Sequence, residues 1–310
     1  MATVQETAVT GRPTGALGRI TRFLTRGPVQ IFLLLVGFLW LLPTFGLLVT
    51  SFRDVADNTA SGWWNAITEP SQLTVATYKR LLADDGMVRA FFNTILITVP
   101  SAVLLVAVAA LAAYAFAWMK FPGRDWIFVI VVALLVVPLH LALIPLLQAY
   151  ANGVDVLGIR IIPDLDLNGT FASVWLAHIG FGLPLAIYLL YNYMSGLPGD
   201  IFEAARIDGA DHFKIFWRLV LPLSVPALAA FAIFQFLWVW NDFLVAIVFV
   251  GSAPDSAPMT VRLTQLVGSR GEDQHILTAG AFLTMIVPLL VFFSLQRYFV
   301  RGILAGSVKG

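Results

Sequence analysis

The sequence predicts an all-α protein that crosses a membrane six times. Its 310 residues are 59% hydrophobic and only 12% charged, which is typical of polytopic membrane proteins and far from the balance of soluble domains. Six apolar runs each reach about 20 residues, the length that an α-helix needs to cross a bilayer. Helices pair their backbone polar groups internally, so they can span hydrocarbon.

The chain begins with a polar segment rich in Thr, Gly and Arg, which is predicted to be a disordered basic tail over residues 1–28. Its arginines either touch anionic membrane lipid or only orient the first span, and we favour the second interpretation. The run over 29–50 is predicted to be the first transmembrane helix, because it is too long for a signal-peptide core and no small-residue cleavage site follows. The polar segment 51–90 is predicted to be an extracytoplasmic loop.

The other spans form a predicted permeation core over 91–302, and a short cytoplasmic tail over 303–310 closes the chain. Pro138 and Pro145 interrupt the third span of the protein. A polar segment over 195–221 separates the fourth span from the fifth, and a loop over 252–275 precedes the sixth. The second to sixth spans are predicted over 91–119, 126–149, 171–194, 222–250 and 276–299.

Lysine and arginine are unevenly divided between alternate connecting segments. With the N-terminus inside, 12 of the 19 basic residues lie in inner segments and 7 in outer ones. Because positively charged loops tend to stay in the cytoplasm, both termini are predicted to be cytoplasmic, in a plasma or inner membrane. The segment 195–221 is then cytoplasmic as well.

The segment 195–221 predicts two short helices with a bend between them. Asp200 is placed to cap the first helix, with Glu203 as the other half of a capping box. Gly209 is placed to end that helix in the left-handed conformation, and Asp211 to cap the second. Pro222 is placed in the first turn of a further helix. These features leave two interpretations open: a docking surface for a soluble partner, or a capped loop without one.

A spacing in this segment resembles the cytoplasmic signature of permease subunits of binding-protein-dependent ABC importers. That signature is Glu-Ala-Ala, three residues, Gly, nine residues, an aliphatic residue, one residue and Leu-Pro. It falls here on Glu203, Ala204, Ala205, Gly209, Leu219, Leu221 and Pro222, with leucine at 219 where the family usually has isoleucine. The stretches 236–243 and 296–310 resemble the carbohydrate-uptake branch of MalG type, so the resemblance covers about residues 28–310.

The resemblance implies a MetI-like permease fold with cytoplasmic coupling helices between spans 4 and 5. It implies three kinds of partner: a second, unlike permease subunit, a cytoplasmic ATPase dimer and an extracytoplasmic sugar-binding protein. The ATPase would use ATP and Mg, whereas this chain would bind no cofactor and no metal and would not be an enzyme.

The same resemblance assigns roles within the coupling segment. Glu203 would cap its helix and make a polar contact with the ATPase, and Gly209 would provide the bend. Ala204 and Ala205 would let the ATPase backbone come close. The predicted ATPase-coupling set is completed by Asp208, Leu219, Leu221 and Pro222.

Polar side chains inside apolar spans are costly and therefore point to function. At about 1.5 Å per residue, several of them fall in the outer half of the predicted spans. They either line a path for a polyhydroxylated solute or bond neighbouring helices at the membrane boundary, and the second permease could hold most sugar contacts. The candidates for a substrate path are Asn241, Asp242, His140, His178 and Asn93, with the first two favoured.

The sequence argues against several other functions. It has no cysteine, no Gly-x4-Gly-Lys-Ser/Thr loop and no hydrolase motif, so thiol chemistry, ATPase activity and hydrolysis are not expected. A net charge of +1 gives no argument for nucleic acid. The alternative is a stand-alone secondary transporter or channel, for which only Asp242 is a suitable acid. An intramembrane enzyme with a metal at His140 and His178 is weaker still, because two histidines alone make a poor site.

The expected substrate is a di- or oligosaccharide, because the branch implies a sugar. The triplet 51–53 and the Ser-Gly-Trp-Trp run at 61–64 resemble an α-glucoside subgroup, which favours a maltose-, trehalose- or sucrose-like molecule. Glycerol phosphate and other polyol derivatives remain open, since the same branch uses them.

Overall fold

The computed structural model describes the backbone of residues 16–266 and 274–307, and the side chains of 27–266 and 275–296. These residues are mostly helical, which confirms the predicted all-α class. The contacts between residues divide the chain into two compact units, Met1–Thr74 and Val75–Gly310.

The first unit contains one long helix, α1 (Ala16–Ser51), with Pro28 and Pro43 inside it. The helix begins well before the predicted first span, so the prediction of a disordered tail is wrong from Ala16 onward. Leucine and arginine recur in the segment after Ala16, and both are good helix formers that extend the helix of the apolar run. Residues 1–15, which complete the predicted tail, lie outside the described part.

A buried arginine joins the short segments that follow α1. They are α2 (Val55–Ala60), α3 (Asn65–Thr68) and a 3₁₀ turn (Pro70–Gln72). Arg53 is 1% exposed, and its guanidinium donates to the Asp57 carbonyl at 2.8 Å and to the Ser61 hydroxyl at 2.6 Å. It also donates to Gln72 Oε1 at 2.8 Å. Since Ala66 is the only buried residue of α2 and α3, hydrogen bonds rather than a core hold this region.

The second unit holds the remaining helices and one hairpin. They are α4 (Ala76–Ala83), α5 (Asp85–Trp118), α6 (Arg124–Ala133), a 3₁₀ turn (Leu134–Val136), α7 (Leu139–Asn152), β1 (Val154–Val156), β2 (Ile159–Ile162), α8 (Phe171–Ser195), α9 (Gly199–Ile207), α10 (His212–Ile215), a π turn (Phe216–Val220), α11 (Leu221–Trp240), α12 (Leu244–Phe249), α13 (Met259–Leu266) and α14 (Gln274–Ser307). Among the described residues of both units, five helices are long and apolar enough to span a membrane, and a bent pair makes a sixth if it counts as one span.

That bent pair corresponds to the predicted third span. The helical segments Arg124–Val136 and Leu139–Asn152 meet at 108°, so the predicted interruption of 126–149 is present. Of the two prolines predicted to interrupt this span, only Pro138 lies at the break. The break lies at Pro138, because proline lacks an N–H and disfavours the helical conformation of the residue before it. Val137 is accordingly extended, with ψ of 116°, whereas Pro145 stays inside α7.

The predicted fifth span over 222–250 is also interrupted. The helix α11 ends at Trp240, and α12 starts at Leu244 after a break. Asp242 stabilises the break, because its carboxylate accepts the backbone N–H groups of Val245 at 3.3 Å and Ala246 at 2.9 Å. The Asn241–Asp242 pair is therefore at a helix end and not within a continuous span.

The segment between α7 and α8, which joins the predicted third and fourth spans, contains the hairpin β1–β2. The two strands are antiparallel, with Asp155 opposite Arg160. These side chains form an exposed ion pair at 2.7 Å, and the hydrogen bond to Asp155 raises the pKa of the Arg160 guanidinium. Leu157 and Gly158 make the turn with positive φ angles of 51° and 81°.

The core of the second unit is built where α5 and α8 pack along each other. Small residues allow this approach, including Ala109 and Ala113 of α5 and Ala186 of α8, all fully buried. Gly182 lies at the tightest point, because an added Cβ would collide with the Leu105 side chain and come within 3.0 Å of Gln235 Oε1. Gly180, on the same helix, has no atom within 4 Å of such a Cβ.

The difference between these two glycines makes a test of the packing. We expect Gly182→Val to destabilise the chain by about 1–3 kcal/mol, because overpacking forces the α5–α8 and α8–α11 contacts apart. Gly180→Val adds the same β-branched side chain to the same helix and is the matched control. Thermal unfolding in detergent measures both, and equal unfolding temperatures for the two variants would contradict the packing described here.

Candidate functional site

The predicted coupling segment forms α9, a bend and α10. The helix α9 begins at Gly199 after Pro198, and no side chain caps it. The prediction that Asp200 and Glu203 form a capping box is therefore wrong. Pro198 already supplies the extended conformation that precedes a helix, with ψ of 124°, so Asp200 lies in the first helical turn instead.

The bend itself follows the prediction. Gly209 has a φ of +76°, the left-handed conformation that glycine accepts without strain. The N–H of Ala210 donates to the Ala205 carbonyl at 2.9 Å and closes the end of α9. Asp211 then caps α10, as predicted, by accepting the N–H of Lys214 at 2.8 Å.

Beyond the bend, the helical path is continuous. The segment His212–Trp240 runs without a break through α10, the π turn and α11, and Pro222 lies in the first turn of α11 as predicted. Proline has no N–H to give the Arg218 carbonyl, which explains a widened turn at this place. The bend at Gly209 and the break at Asn241 are therefore the two ends of one 29-residue helical rod.

The eight predicted coupling residues divide between surface and core. Glu203, Ala204, Asp208, Gly209 and Pro222 are exposed. Ala205, Leu219 and Leu221 are half-buried and pack against the core of α5 and α8. The exposed members provide a surface that a partner could contact, whereas the other three hold the segment to the spans.

Sequence reasoning missed the residue that anchors α9. Phe202 is 1% exposed and stacks on Trp118 at the end of α5, with ring centroids 3.7 Å apart and planes 21° apart. The Trp118 indole in turn donates to the Met194 carbonyl at 3.0 Å. The available signal was the apolar residue next to Glu203, because a helix with charges on one face needs an apolar anchor on the other.

Large apolar side chains are exposed next to the predicted coupling residues. Ile207 is 86% exposed, Phe213 is 71% exposed and Trp217 is 51% exposed. Phe216, by contrast, is buried against Tyr114, whose hydroxyl lies 2.8 Å from His212 Nδ1. The loop is thus fixed to the bundle on one side and presents an apolar surface, of the kind that marks interaction sites, on the other.

The structure brings two of the five predicted path residues together. His178 Nε2 lies 3.6 Å from Asp242 Oδ2, with His178 fully buried and Asp242 nearly so. The ring of Trp238 stands edge-on to His178 at 5.6 Å. This cluster connects the middle of α8 to the break after α11.

The other three predicted path residues lie elsewhere. Asn93 donates to the carbonyls of Asp255 and Ala257 at 3.0 and 3.1 Å, so it fastens α5 to the segment before α13. Asn241 is exposed and donates to its own helix at Leu237. His140 is exposed on α7. For Asn93 the contacts favour the alternative interpretation, that of a helix-bonding residue.

Buried polar groups on α5 and α11 were missed by the sequence reasoning. Gln235 and Thr98 are fully buried, and neither amide atom of Gln235 nor the Thr98 hydroxyl has a hydrogen-bond partner among the described residues. The same holds for both ring nitrogens of His178. Leaving such a group unpaired costs about 1–3 kcal/mol, so a hydrogen-bond partner at these positions would stabilise the protein. The signal was a lone glutamine in the apolar helix α11.

Comparison with known proteins decides the family. Residues 106–305 match the sequence profile of the binding-protein-dependent transport system inner membrane component. The chain belongs to this family. The resemblance drawn from residues 203–222 is thereby confirmed, and so is membership of a multi-pass permease family.

Curated relatives of this permease chain match it over most of its length. It is 53% identical, over 96% of each chain, to the "Osmoprotective compounds uptake permease protein GgtD" of Synechocystis sp.. It is 57% identical to the "Alpha-glucoside transport system permease protein AglG" of Rhizobium meliloti, over 84% of this chain and 68% of the relative.

Solved structures match the fold of this permease chain. A chain of a bacterial ABC transporter involved in the import of the acidic polysaccharide alginate superposes with a TM-score of 0.67 at 22% identity, covering 92% of this chain and 98% of the other. A bacterial alginate ABC transporter in complex with an alginate pentasaccharide-bound periplasmic protein gives 0.65 at 16% identity, covering 90% and 96%. These matches confirm the MetI-like fold.

Proposed function

We propose that this chain is one permease subunit of an ATP-driven importer for α-glucosides of di- or oligosaccharide size. The observation that carries the proposal is the α9 surface, which is anchored through Phe202 and exposes the Glu203–Gly209 residues of the family signature. The name of the Rhizobium relative supports the α-glucoside class. The name of the Synechocystis relative makes a small osmoprotective compound the second candidate.

The proposed assembly contains a second, unlike permease, a cytoplasmic ATPase dimer that uses ATP and Mg, and an extracytoplasmic sugar-binding protein. The α9 surface and the neighbouring Phe213 and Trp217 would contact the ATPase, in the cytoplasm. The alginate transporter solved with its periplasmic protein supports the third partner by analogy of fold.

In the proposed mechanism, the ATPase moves α9, and the rod His212–Trp240 carries that movement into the membrane. At about 1.5 Å per residue the rod is about 43 Å long, enough to reach from one membrane face to the far side of the hydrocarbon. Two residues beyond its end lies Asp242, beside His178. A shift of the rod would therefore change the polar cluster that faces the solute.

We place the substrate path along His178, Gln235 and Asp242. Their buried polar atoms are suited to sugar hydroxyls, which need donors and acceptors in place of water, and Trp238 offers an aromatic face. His140 and Asn241 are kept as outer candidates, since they lie in the segments assigned to the outer half of the membrane. Asn93 is assigned to helix bonding instead.

The variant Gln235→Leu tests whether Gln235 lines the substrate path or only contributes to folding. We expect Gln235→Leu to lower uptake about tenfold while the unfolding temperature stays equal or rises, because an apolar side chain of similar size removes two unpaired buried atoms. Ser224→Ala, which removes another unpaired buried polar atom from α11, is the control and should leave uptake unchanged. Full uptake by the Gln235→Leu variant would remove this residue from the path.

The substrate class is tested by uptake in cells that carry the whole transport system, with and without this chain. We expect maltose, trehalose or sucrose to be imported and the β-linked cellobiose to be refused. Import of an osmoprotective solute without any α-glucoside would select the second candidate. Uptake that persists when the ATPase is absent would contradict an ATP-driven importer and favour a stand-alone transporter.

A further inference from the structure

A cavity of about 450 Å³ opens where α5 ends and α6 begins. Its wall includes the backbone end of α5 at Trp118 together with Lys120, Arg124, Arg206 and His212. Three of these side chains are cationic and the fourth is basic, and no acidic residue lines the cavity. Such a wall is suited to an anion.

The cations of this cavity are largely unneutralised. Lys120 makes no ion pair or hydrogen bond with any described residue. Arg206 has one long hydrogen bond, 3.5 Å from the Trp118 carbonyl. Arg124 pairs with Asp125 at 2.9 Å, but the carboxylate is 84% exposed, so the pair is weak. Positive charge therefore remains available inside the cavity.

The residues around the cavity have the pattern of a membrane boundary. The helix α5 is apolar up to Trp118, and the next helix starts with Arg124 and an exposed tryptophan, Trp126, which is 77% exposed. Tryptophans and basic residues in this arrangement mark the boundary between hydrocarbon and water. A ligand with a phosphate in the cavity and acyl chains beside α6 would match the cationic cavity wall and the apolar surface of that helix.

We propose that this cavity binds the phosphate of an anionic phospholipid, held by Lys120, Arg124 and Arg206. The proposal does not depend on which solute the permease carries. Because Arg206 belongs to α9, a lipid bound here connects the coupling segment to the turn between α5 and α6.

The test uses the complete assembled complex, purified and analysed by native mass spectrometry after equilibration with equal amounts of phosphatidylglycerol and phosphatidylcholine. Wild type is expected to retain phosphatidylglycerol selectively. Lys120→Gln with Arg124→Gln is expected to reduce that retention about fivefold for each cation removed. Lys214→Gln with Arg218→Gln removes two exposed cations that do not line the cavity, and it should retain lipid as wild type does.

Three outcomes would overturn the proposal. Equal loss of lipid in both double variants would mean a diffuse surface charge rather than a site. Inorganic phosphate that binds through Lys120 and Arg124, without selectivity for phosphatidylglycerol, would identify a free anion as the ligand. Selective retention by the isolated chain but not by the complex would mean that a partner subunit occupies the cavity. Thermal unfolding of each variant confirms that the compared proteins are folded.

Discussion

Gly209→Asp is expected to reduce substrate-stimulated ATP hydrolysis by the assembled importer by about tenfold or more. The residue is exposed at the end of α9, and nothing lies within 4 Å of an added Cβ, so the side chain fits. The new carboxylate would stand beside Asp208 and Asp211 and add a third negative charge to the surface proposed to meet the ATPase. Burying an uncompensated charge in an interface costs several kcal/mol, which exceeds the 1.4 kcal/mol of a tenfold effect.

The matched control is Gly209→Asn, which has the same shape without the charge. Asparagine tolerates the left-handed conformation better than most residues, so the +76° φ angle can be kept. ATP hydrolysis is measured in proteoliposomes that contain the whole complex, after the amount of inserted permease has been equalised. Unchanged stimulation in the aspartate variant would make the loop a passive connector.

Phe202→Ala is expected to lower uptake by loosening the coupling helix α9. The phenyl ring fixes α9 to Trp118, and removing a buried Phe costs about 3–5 kcal/mol. Because α9 is short and has no other fully buried residue, it should become mobile while the spans stay folded. We expect uptake to fall about tenfold, since about 1.4 kcal/mol of lost coupling suffices for that change.

Two measurements make this expectation specific. A spin label at Ala204 reports the motion of α9. The lines of its electron paramagnetic resonance spectrum should sharpen in Phe202→Ala and stay broad in Phe202→Leu, because leucine keeps most of the apolar volume. Ile201→Ala, at the neighbouring and partly exposed position, controls for loss of any apolar side chain. An immobile label together with normal uptake in Phe202→Ala would show that the aromatic stack does not hold the coupling helix.

The sequence was most informative where the conformation depends only on a residue and its near neighbours along the chain. Gly209, Asp211 and Pro222 were placed correctly, because left-handed glycine, a carboxylate cap and a first-turn proline are local effects. Asp200 was misplaced because Pro198 competes for the same helix start, and local rules do not rank two adequate starts.

Features that depend on distant partners were not predicted. The Pro138 break was foreseen, but the 108° angle depends on how α6 and α7 pack, which no spacing reveals. The break at Asn241 depends on Asp242 capping α12 beside His178, a contact across 64 positions of sequence. Gln235 was missed although it is a polar residue in an apolar run, and only the structure places it against Gly182.

The hydrogen bonds of Arg53 leave most side chains of residues 54–72 free to vary among related chains. Two of its acceptors are backbone carbonyls, those of Asp57 and Ser61, and every amino acid carries such a group. The shape of residues 54–72 therefore depends on one guanidinium and on few particular side chains. Mutation can remodel the outward faces of α2 and α3 without a change of backbone, so related chains are free to diversify what this region touches while keeping the arginine.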